Sequence, residues 1–329
     1  MANADDVLLK VSNLSLHFKK GKHTVKAVQD LSFEIKKGEV FSIVGESGCG
    51  KTTTGRTIIG LYKATGGEMF FKGERIGAGM RLKAQSRQIQ MIFQDPIASL
   101  NPRMTVREIV GEGLKINGEK NGRILQEKVG EMLEKVGLDK AYAERYPHEF
   151  SGGQRQRIGI ARALIMRPEL VIADEPVSAL DVSVQAQVIN LLNELRQEFG
   201  LTVLFIAHDL SVVKYFSDTI AVMHQGRIVE QAPADELFRN PLHAYTQSLL
   251  SAIPLPDPIS EHSRVRLHYE QKEENLQPQE RLSYREIAKE HFVLCTAEEA
   301  ETYALRGKRR KKGEKRNANR PSAQDHTSF

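Results

Sequence analysis

Short apolar runs recur along the chain and are separated by stretches with helical spacing. The runs at Val40–Val44, 89–93, 170–173 and Thr202–Ala207 have the length and composition of strands that are buried in a parallel sheet. Between them, segments such as Val182–Phe199 place apolar residues at the spacing of one helix face. Strands that alternate with helices predict an α/β fold in which helices cover both faces of a mainly parallel sheet.

Two regions depart from this alternation. Near the N-terminus, the segments 7–16, 25–28 and 31–35 read as short strands and predict an antiparallel β subdomain. The block of residues 96–167 is mostly helical and lies between two core strands, so it predicts an inserted helical subdomain.

The C-terminal end differs in composition from the rest of the chain. Residues 253–258 are dense in proline and indicate a boundary, so we expect a main domain of residues 1–240, a C-terminal extension of residues 241–305 and a tail of residues 306–329. The net charge is +5, yet the tail alone holds nine basic and two acidic residues. We expect the tail to be disordered. A solvated end, contact with anionic lipid and non-specific nucleic-acid binding all stay open for it.

Other sequence features narrow the class of protein. The body of the chain has no basic surplus, so its charge gives no reason to interpret it as a nucleic-acid binder. It contains no continuous apolar run of the roughly 18 residues that cross a bilayer, and the N-terminus lacks the pattern of a secretory signal. Two cysteines, Cys49 and Cys295, cannot form a disulfide framework and are typical of a reducing compartment.

The strongest chemical signal follows the first buried strand. Residues 45–52 fit the pattern G-x-x-x-x-G-K-[ST] and lead into a predicted helix over residues 52–61. A strand before this pattern and a helix after it are the context of a phosphate-binding loop. Glycines let backbone N–H groups surround phosphate oxygens, Lys51 is expected to reach the β- and γ-phosphates, and Thr52 to ligate Mg²⁺. The helix start also predicts a lowered pKa for the Cys49 thiol. The expected binding residues are Gly45, Glu46, Ser47, Gly48, Cys49, Gly50, Lys51, Thr52 and Thr53.

A second signal lies where the strand at residues 170–173 ends. This apolar run delivers Asp174 and Glu175 at the edge of the sheet where the phosphate loop is expected. We expect Asp174 to hold Mg²⁺ through water, and Glu175 to orient or deprotonate the attacking water.

A third signal is a serine followed by two glycines at the start of an arginine-rich helix. Ser151 suits the N-cap position, and Gly152 and Gly153, followed by Gln154, expose backbone N–H groups as a second anion site. One ATP does not need two phosphate-binding loops in a single fold. We therefore expect this loop to close over ATP that is held by another subunit.

Together these three motifs resemble the ATP-binding cassette family over residues 7–240. The resemblance implies a phosphate-loop NTPase core of the RecA-like type, with ATP and Mg²⁺ as ligands. It also implies a role for Gln94 as a ligand of Mg²⁺ and water that senses the membrane partner, and for Asp181 in a loop that crosses the dimer. By the same resemblance, His208 contacts the γ-phosphate and Phe18 stacks on adenine.

A narrower resemblance follows the cassette. Residues 240–254 and 97–102 are similar to segments of oligopeptide and dipeptide importer ATPases, although this chain has His-Ala-Tyr at 243–245 where that subfamily usually has His-Pro-Tyr. The likeness is to the F-type ATPase of an oligopeptide importer. Many members carry a cysteine cluster for an iron–sulfur centre; Cys295 alone cannot form a four-cysteine site, so we expect no cluster.

This resemblance implies an ATPase that powers uptake of oligopeptides. The expected partners are a second cassette ATPase in a heterodimer, two transmembrane permease subunits and an extracytoplasmic peptide-binding protein, with the chain peripheral on the cytoplasmic face of the membrane and no specific nucleic acid. Two alternatives stay open. One is an importer for nickel or another small solute, and the other is a non-transport cassette ATPase that acts on nucleic acid or ribosomes.

Overall fold

The computed structural model describes residues 6–21, 23–77, 87–253, 266–269 and 282–305. The chain divides into two compact units, Met1–Ile228 and Val229–Phe329. The tail expected at residues 306–329 lies outside the described residues.

The strands of the first unit form two sheets. Four strands pair antiparallel in the order β2-β1-β4-β5, and five pair in parallel in the order β9-β3-β8-β7-β6. Every residue of β3, β7 and β8 is buried, as the continuous apolar runs predict. The bounds are β1 Val7–Lys20, β2 His23–Lys36, β3 Val40–Val44, β4 Gly66–Phe71, β5 Glu74–Ile76, β6 Ile89–Ile92, β7 Leu170–Asp174, β8 Thr202–Ala207 and β9 Thr219–His224.

Helices lie between the strands of the parallel sheet. Four of them, together with two short 3₁₀ helices at Lys140–Glu144 and Pro147–Glu149, occupy the sequence between β6 and β7. The bounds are α1 Lys51–Ile58, α2 Pro96–Ser99, α3 Val106–Ile116, α4 Gly122–Lys135, α5 Gly152–Leu164, α6 Val182–Phe199 and α7 Leu210–Val213. The α/β class, with an antiparallel β subdomain near the N-terminus, is therefore confirmed.

The N-terminal hairpin is longer than its sequence pattern predicts. The three short strands that we expected are two strands of 14 residues each. The pairing of β1 with β2 shifts register several times, and Asn13 and Asp30 adopt the left-handed conformation with φ of 49°. Each such bulge exchanges the inward and outward faces, which interrupts the alternation that marks a strand in a sequence.

The second unit combines a small antiparallel sheet with helices. Strands pair in the order β11-β12-β10, and Val293 and Cys295 on β12 form a buried apolar cluster with Leu242. The bounds are β10 Arg227–Pro233, α8 Ala234–Arg239, α9 Ala244–Ser251, β11 Ser283–Ala288 and β12 His291–Cys295, and residues 297–305 are helical. Strand β10 carries the chain from the first unit into the second.

Candidate active site

The phosphate loop connects the buried end of β3 to the start of α1. Gly50 caps this helix in the left-handed conformation with φ of 109°, and a Cβ at this position would lie 2.3 Å from the carbonyl oxygen of Ala27. Only glycine fits such a position. No side chain caps α1, so its first N–H groups are available to an anion. Three loop residues are exposed, namely Glu46, Ser47 and Gly48, and the buried ones are Gly45, Cys49 and Gly50.

Lys51 folds back over this loop. Its Nζ donates to the carbonyl oxygens of Gly45 at 2.7 Å and Glu46 at 2.9 Å, and it lies 3.8 Å from Oε1 of Glu175. The side chain is only 3% exposed. A buried ammonium held by carbonyl oxygens places a fixed positive charge beside the helix start, where an anionic phosphate is favoured.

Thr52 and Asp174 form an oxygen-rich pair suited to a divalent cation. Oγ1 of Thr52 donates to Oδ1 of Asp174 at 2.7 Å. Asp174 is fully buried, burial raises the pKa of its carboxyl group, and its Oδ2 has no hydrogen-bond partner among the described residues. An orphaned buried carboxylate oxygen next to a hydroxyl is a donor set of the kind that Mg²⁺ prefers. These residues therefore fit the expected Mg²⁺.

Two expected catalytic residues, Gln94 and His208, converge on the carboxylate of the third, Glu175. Oε2 of Glu175 accepts a hydrogen bond from Nε2 of Gln94 at 2.9 Å and lies 3.2 Å from Nδ1 of His208. The three residues follow β7, β6 and β8, which are neighbours in the parallel sheet, so their carboxyl ends meet at one edge. The Glu175 side chain is 12% exposed and that of His208 is 53% exposed, so the imidazole is open to a ligand.

The backbone at Glu175 is held in an uncommon conformation. Its φ is 44°, in the left-handed region, while its N–H donates to the carbonyl oxygen of Ile206 at 2.9 Å and its carbonyl oxygen accepts from Oγ of Ser178 at 3.1 Å. A non-glycine residue in this region costs free energy and persists where its surroundings fix it. The carboxylate is thereby anchored to the sheet.

The serine–glycine motif Ser151–Gln154, called the signature loop below, lies at the start of α5, the signature helix. It and Asp181 lie on a different part of the first unit. Ser151 caps α5 and forms a reciprocal capping box with Gln154. A Cβ on Gly153 would lie 2.7 Å from Val184, and the nearest atom to one on Gly152 is 3.6 Å away on Leu180. Asp181 caps α6 by accepting from the N–H of Val184 at 3.1 Å. The contacts described for these residues join α5 to the start of α6 and do not join either to the phosphate loop.

Phe18 has an aromatic neighbour that no motif indicates. It lies on β1 opposite Val25, is 39% exposed, and meets Tyr62 edge to face at 5.4 Å between ring centroids. Tyr62 follows α1 in a segment without a recognisable pattern, so sequence reasoning missed it. Thr53 lies in the first turn of α1, where its carbonyl oxygen accepts from Oγ1 of Thr57.

The expectation of a lowered pKa at Cys49 is wrong. Burial raises the pKa of this thiol above its usual 9.0, and the opposing effect of the Lys51 ammonium is smaller. The helix start favours the thiolate, but the loop encloses the sulfur so tightly that desolvation of the charged form prevails.

The His-Ala-Tyr segment is anchored within the second unit. Glu230, which is fully buried, accepts hydrogen bonds from the N–H groups of Leu242 at 2.7 Å and His243 at 3.0 Å. Nδ1 of His243 in turn accepts from the N–H of Tyr245 and caps α9. The motif therefore starts a helix and attaches that start to β10.

Family comparisons follow the same division of the chain. A model of the ABC transporter family matches residues 28–178, and a model of the C-terminal region of oligopeptide and dipeptide transporters matches residues 229–279. The chain belongs to the ATP-binding cassette family of transporter ATPases, as its motifs predicted. It is therefore an ATPase that binds ATP.

Named relatives match over almost their whole length. The oligopeptide transport ATP-binding protein OppF of Bacillus subtilis (strain 168) is 59% identical over 301 residues, which cover 90% of this chain and 99% of that protein. The dipeptide transport ATP-binding protein DppF of Lactococcus lactis subsp. cremoris (strain MG1363) is 52% identical over 307 residues, which cover 90% and 96%. Among solved structures, the dimeric post-hydrolysis state of the ATP-binding cassette MJ0796 bound to ADP and Pi has a TM-score of 0.63 and 31% identity, covering 69% of this chain and 99% of that chain.

None of the helices in the described ranges combines the length and the apolar character that crossing a membrane requires. Within those ranges there is also no group of three or more His, Cys, Asp or Glu residues arranged to hold a metal ion.

Proposed function

We propose that this chain is the ATPase subunit that powers uptake of oligopeptides through separate transmembrane subunits. Relatives whose names refer to oligopeptide or dipeptide transport align along nearly their whole length, and the His-Ala-Tyr segment matches the C-terminal region of such transporters. The proposed partners are a second cassette ATPase, two permease subunits and an extracytoplasmic peptide-binding protein. The proposed location is the cytoplasmic face of the membrane.

The convergence of Gln94 and His208 on Glu175 carries the proposed mechanism. Glu175 accepts a proton from the attacking water, while the two neighbours hold its Oε2 and orient the carboxylate. Lys51 binds the β- and γ-phosphates in place of the carbonyl oxygens that it now contacts. Thr52, Asp174 and Gln94 would hold Mg²⁺, which would supply positive charge next to the phosphates.

The signature loop supplies the other half of a site in the proposed mechanism. Ser151, Gly152 and Gly153 are positioned at a capped helix start, which favours an anion, yet their described contacts are with α6. Two cassettes that face each other place this loop on the γ-phosphate held by the opposite subunit. Asp181 at the start of α6 lies beside it, and Phe18 with Tyr62 forms the platform for adenine.

Glu175→Gln tests the proposed base. Glutamine keeps the size and the acceptor oxygen but cannot take a proton, so kcat for ATP hydrolysis is expected to fall by about 10²–10⁴ while ATP still binds. Glu169→Gln is the matched control. Glu169 lies just before the start of β7, at the end away from Glu175, and forms an ion pair with Lys72. Near-normal turnover in Glu175→Gln would contradict the assignment.

Uptake assays test the proposed substrate. Cells that lack this chain are expected to lose uptake of labelled oligopeptides and to regain it with the wild-type chain but not with Glu175→Gln. Labelled nickel and free amino acids serve as competing substrates in the same cells. If the wild-type chain restores the uptake of nickel alone, the chain serves an importer for nickel and not for peptides. If it co-purifies with ribosomes or nucleic acid instead of integral membrane proteins, it is a non-transport ATPase.

A further inference from the structure

Arg162 links the signature helix to the segment that carries Gln94. It lies in the last turn of α5, the helix that Ser151 caps, and its Nη1 donates to the carbonyl oxygen of Ser99 at 2.6 Å. Its guanidinium carbon also lies 5.6 Å from the centroid of the Phe93 ring. Phe93 and Ser99 stand on either side of the short segment 94–98. One guanidinium therefore contacts both ends of the segment that presents Gln94.

Arg162 is half-buried, and part of its guanidinium is enclosed by the fold. Burial lowers the pKa of Arg162, which the nearby Glu112 on α3 opposes, and its buried Nη2 finds no acceptor among the described residues. Enclosing a charged group with an unused donor costs free energy, and an apolar side chain would fill the same space at lower cost. What an apolar side chain cannot do is donate a hydrogen bond and stack on a ring at once.

Gln94 and Glu175 follow neighbouring strands of the parallel sheet, and Arg162 adds a contact from α5 to the segment that carries Gln94. Gln94 follows Phe93, which Arg162 contacts, so the position of α5 bears on the segment that presents the Gln94 amide. Glu175 is fixed to the parallel sheet through its N–H bond to Ile206. A displacement of α5 relative to the sheet is therefore expected to change the 2.9 Å contact between Nε2 of Gln94 and Oε2 of Glu175. Eleven residues, or about 16 Å of helix, separate Ser151 from Arg162.

We propose that Arg162 is a positioning residue that couples the signature helix to Glu175 through Gln94. When ATP of a partner subunit engages the signature loop, α5 moves as a rigid element, and Arg162 sets the place of Gln94 against the carboxylate. The inference rests on the proposed roles of Gln94 and Glu175. It predicts a defect in the rate of hydrolysis and not in the binding of ATP.

A double-mutant cycle on the full-length chain tests the coupling. Arg162→Met is expected to lower kcat by roughly ten- to a hundredfold with little change in KM for ATP, because a small misplacement near the reacting groups is enough. Gln94→Ala lowers kcat as well, and Arg162→Met combined with Gln94→Ala is expected to match Gln94→Ala alone. Arg162→Lys, which keeps one donor, is expected to recover part of the rate.

Arg157 provides the matched control on the same helix. Its Nη1 donates to the carbonyl oxygen of Val136 at 2.7 Å, so it makes the same type of bond without touching the segment 93–99. Arg157→Met combined with Gln94→Ala is expected to show the product of the two single effects.

The outcomes separate this inference from the proposed function. The coupling is overturned, and the proposed function is not, by either of two results. One is a kcat in the double variant Arg162→Met with Gln94→Ala that is reduced by the product of the two single effects. The other is an unchanged kcat in Arg162→Met. A normal kcat in Gln94→Ala would overturn the role of Gln94 and the coupling with it. If circular dichroism shows that Arg162→Met does not fold, Arg162→Lys replaces it in the same cycle and is judged by the same criteria.

Discussion

At the scale of single residues, desolvation keeps both cysteine thiols protonated. Cys49 stands at a helix start beside an ammonium, which would favour the thiolate in open solvent, yet burial raises its pKa. Cys295 is fully buried in the second unit, and burial raises its pKa from 9.0 to about 11, with Glu299 adding to the shift. Both side chains are therefore neutral thiols near pH 7, and neither is a good nucleophile in the folded chain.

Thiol titration checks this conclusion. In the folded chain, both cysteines are expected to react with a disulfide reagent at pH 8 far more slowly than a free thiol, and in guanidinium chloride both react fully. Because the pKa of Cys295 is raised on folding, its contribution to stability is present below pH 9.0 and is lost as the pH rises to about 11. Cys49→Ser and Cys295→Ser assign each reaction. A rapid reaction in folded Cys295→Ser would contradict the burial of Cys49.

Motifs locate a site residue only when its chemistry is tied to a fixed spacing. Lys51 and Thr52 are predictable because the phosphate loop is contiguous, and Glu175 because its strand ends in two carboxylates. Tyr62 and Arg162 carry no such signal. The roles proposed for them rest on contacts with residues that are distant in the sequence, Phe18 in one case and Ser99 in the other. Only the fold brings those pairs together.

At the scale of secondary-structure elements, capping residues decide where helices begin. Helix α3 starts at a reciprocal capping box in which Thr105 accepts from the N–H of Glu108 and Glu108 accepts from the N–H and the hydroxyl group of Thr105. The two bonds that the Glu108 carboxylate accepts from Thr105 lower the pKa of this carboxyl group. A depressed pKa stabilises the fold above the ordinary value of 4.5, and the effect is lost as the pH falls below it.

Thr105→Ala is expected to lower the free energy of unfolding by about 1 kcal/mol, the usual effect of losing an N-cap hydroxyl. Thr105→Ser keeps the hydroxyl and is expected to retain most of that stability. Urea unfolding at pH 7 measures both variants, and repeating it at a pH below 4.5 is expected to narrow the difference between them. Equal losses in the serine and alanine variants would show that the methyl group, and not the cap, stabilises this helix start.

Sequence patterns differ in how reliably they predict the elements that the chain forms. The buried parallel strands were predicted closely, since nearly every position of such a strand is apolar and a register shift leaves the pattern intact. The N-terminal hairpin was predicted as fragments, because bulges at Asn13 and Asp30 reverse the inward and outward faces. Backbone irregularity of this kind is set by pairing with the opposite strand, which no local pattern reports.

At the scale of the whole molecule, the residues proposed to act on ATP all lie in one of the two units. All residues expected to act on ATP lie between Phe18 and His208, within the unit that ends at Ile228. The second unit is organised around Glu230, whose carboxylate accepts from the N–H groups of Leu242 and His243 and lies 2.8 Å from Nε2 of His291 on β12. Both side chains are fully buried. One carboxylate thus joins β10, β12 and the start of α9.

His291→Ala tests this arrangement. Removing one partner of a buried carboxylate–imidazole pair is expected to destabilise the second unit by about 3–5 kcal/mol, because Glu230 is left buried without that bond. Hydrogen exchange is expected to accelerate along β11 and β12, while the affinity of the first unit for ATP stays within about twofold of the wild type, since every binding residue lies outside the affected unit. His268→Ala, at an exposed position of the second unit, is the matched control. Unchanged exchange in β12 would contradict the role of the pair, whereas a joint loss of ATP affinity would show that the two units depend on each other energetically.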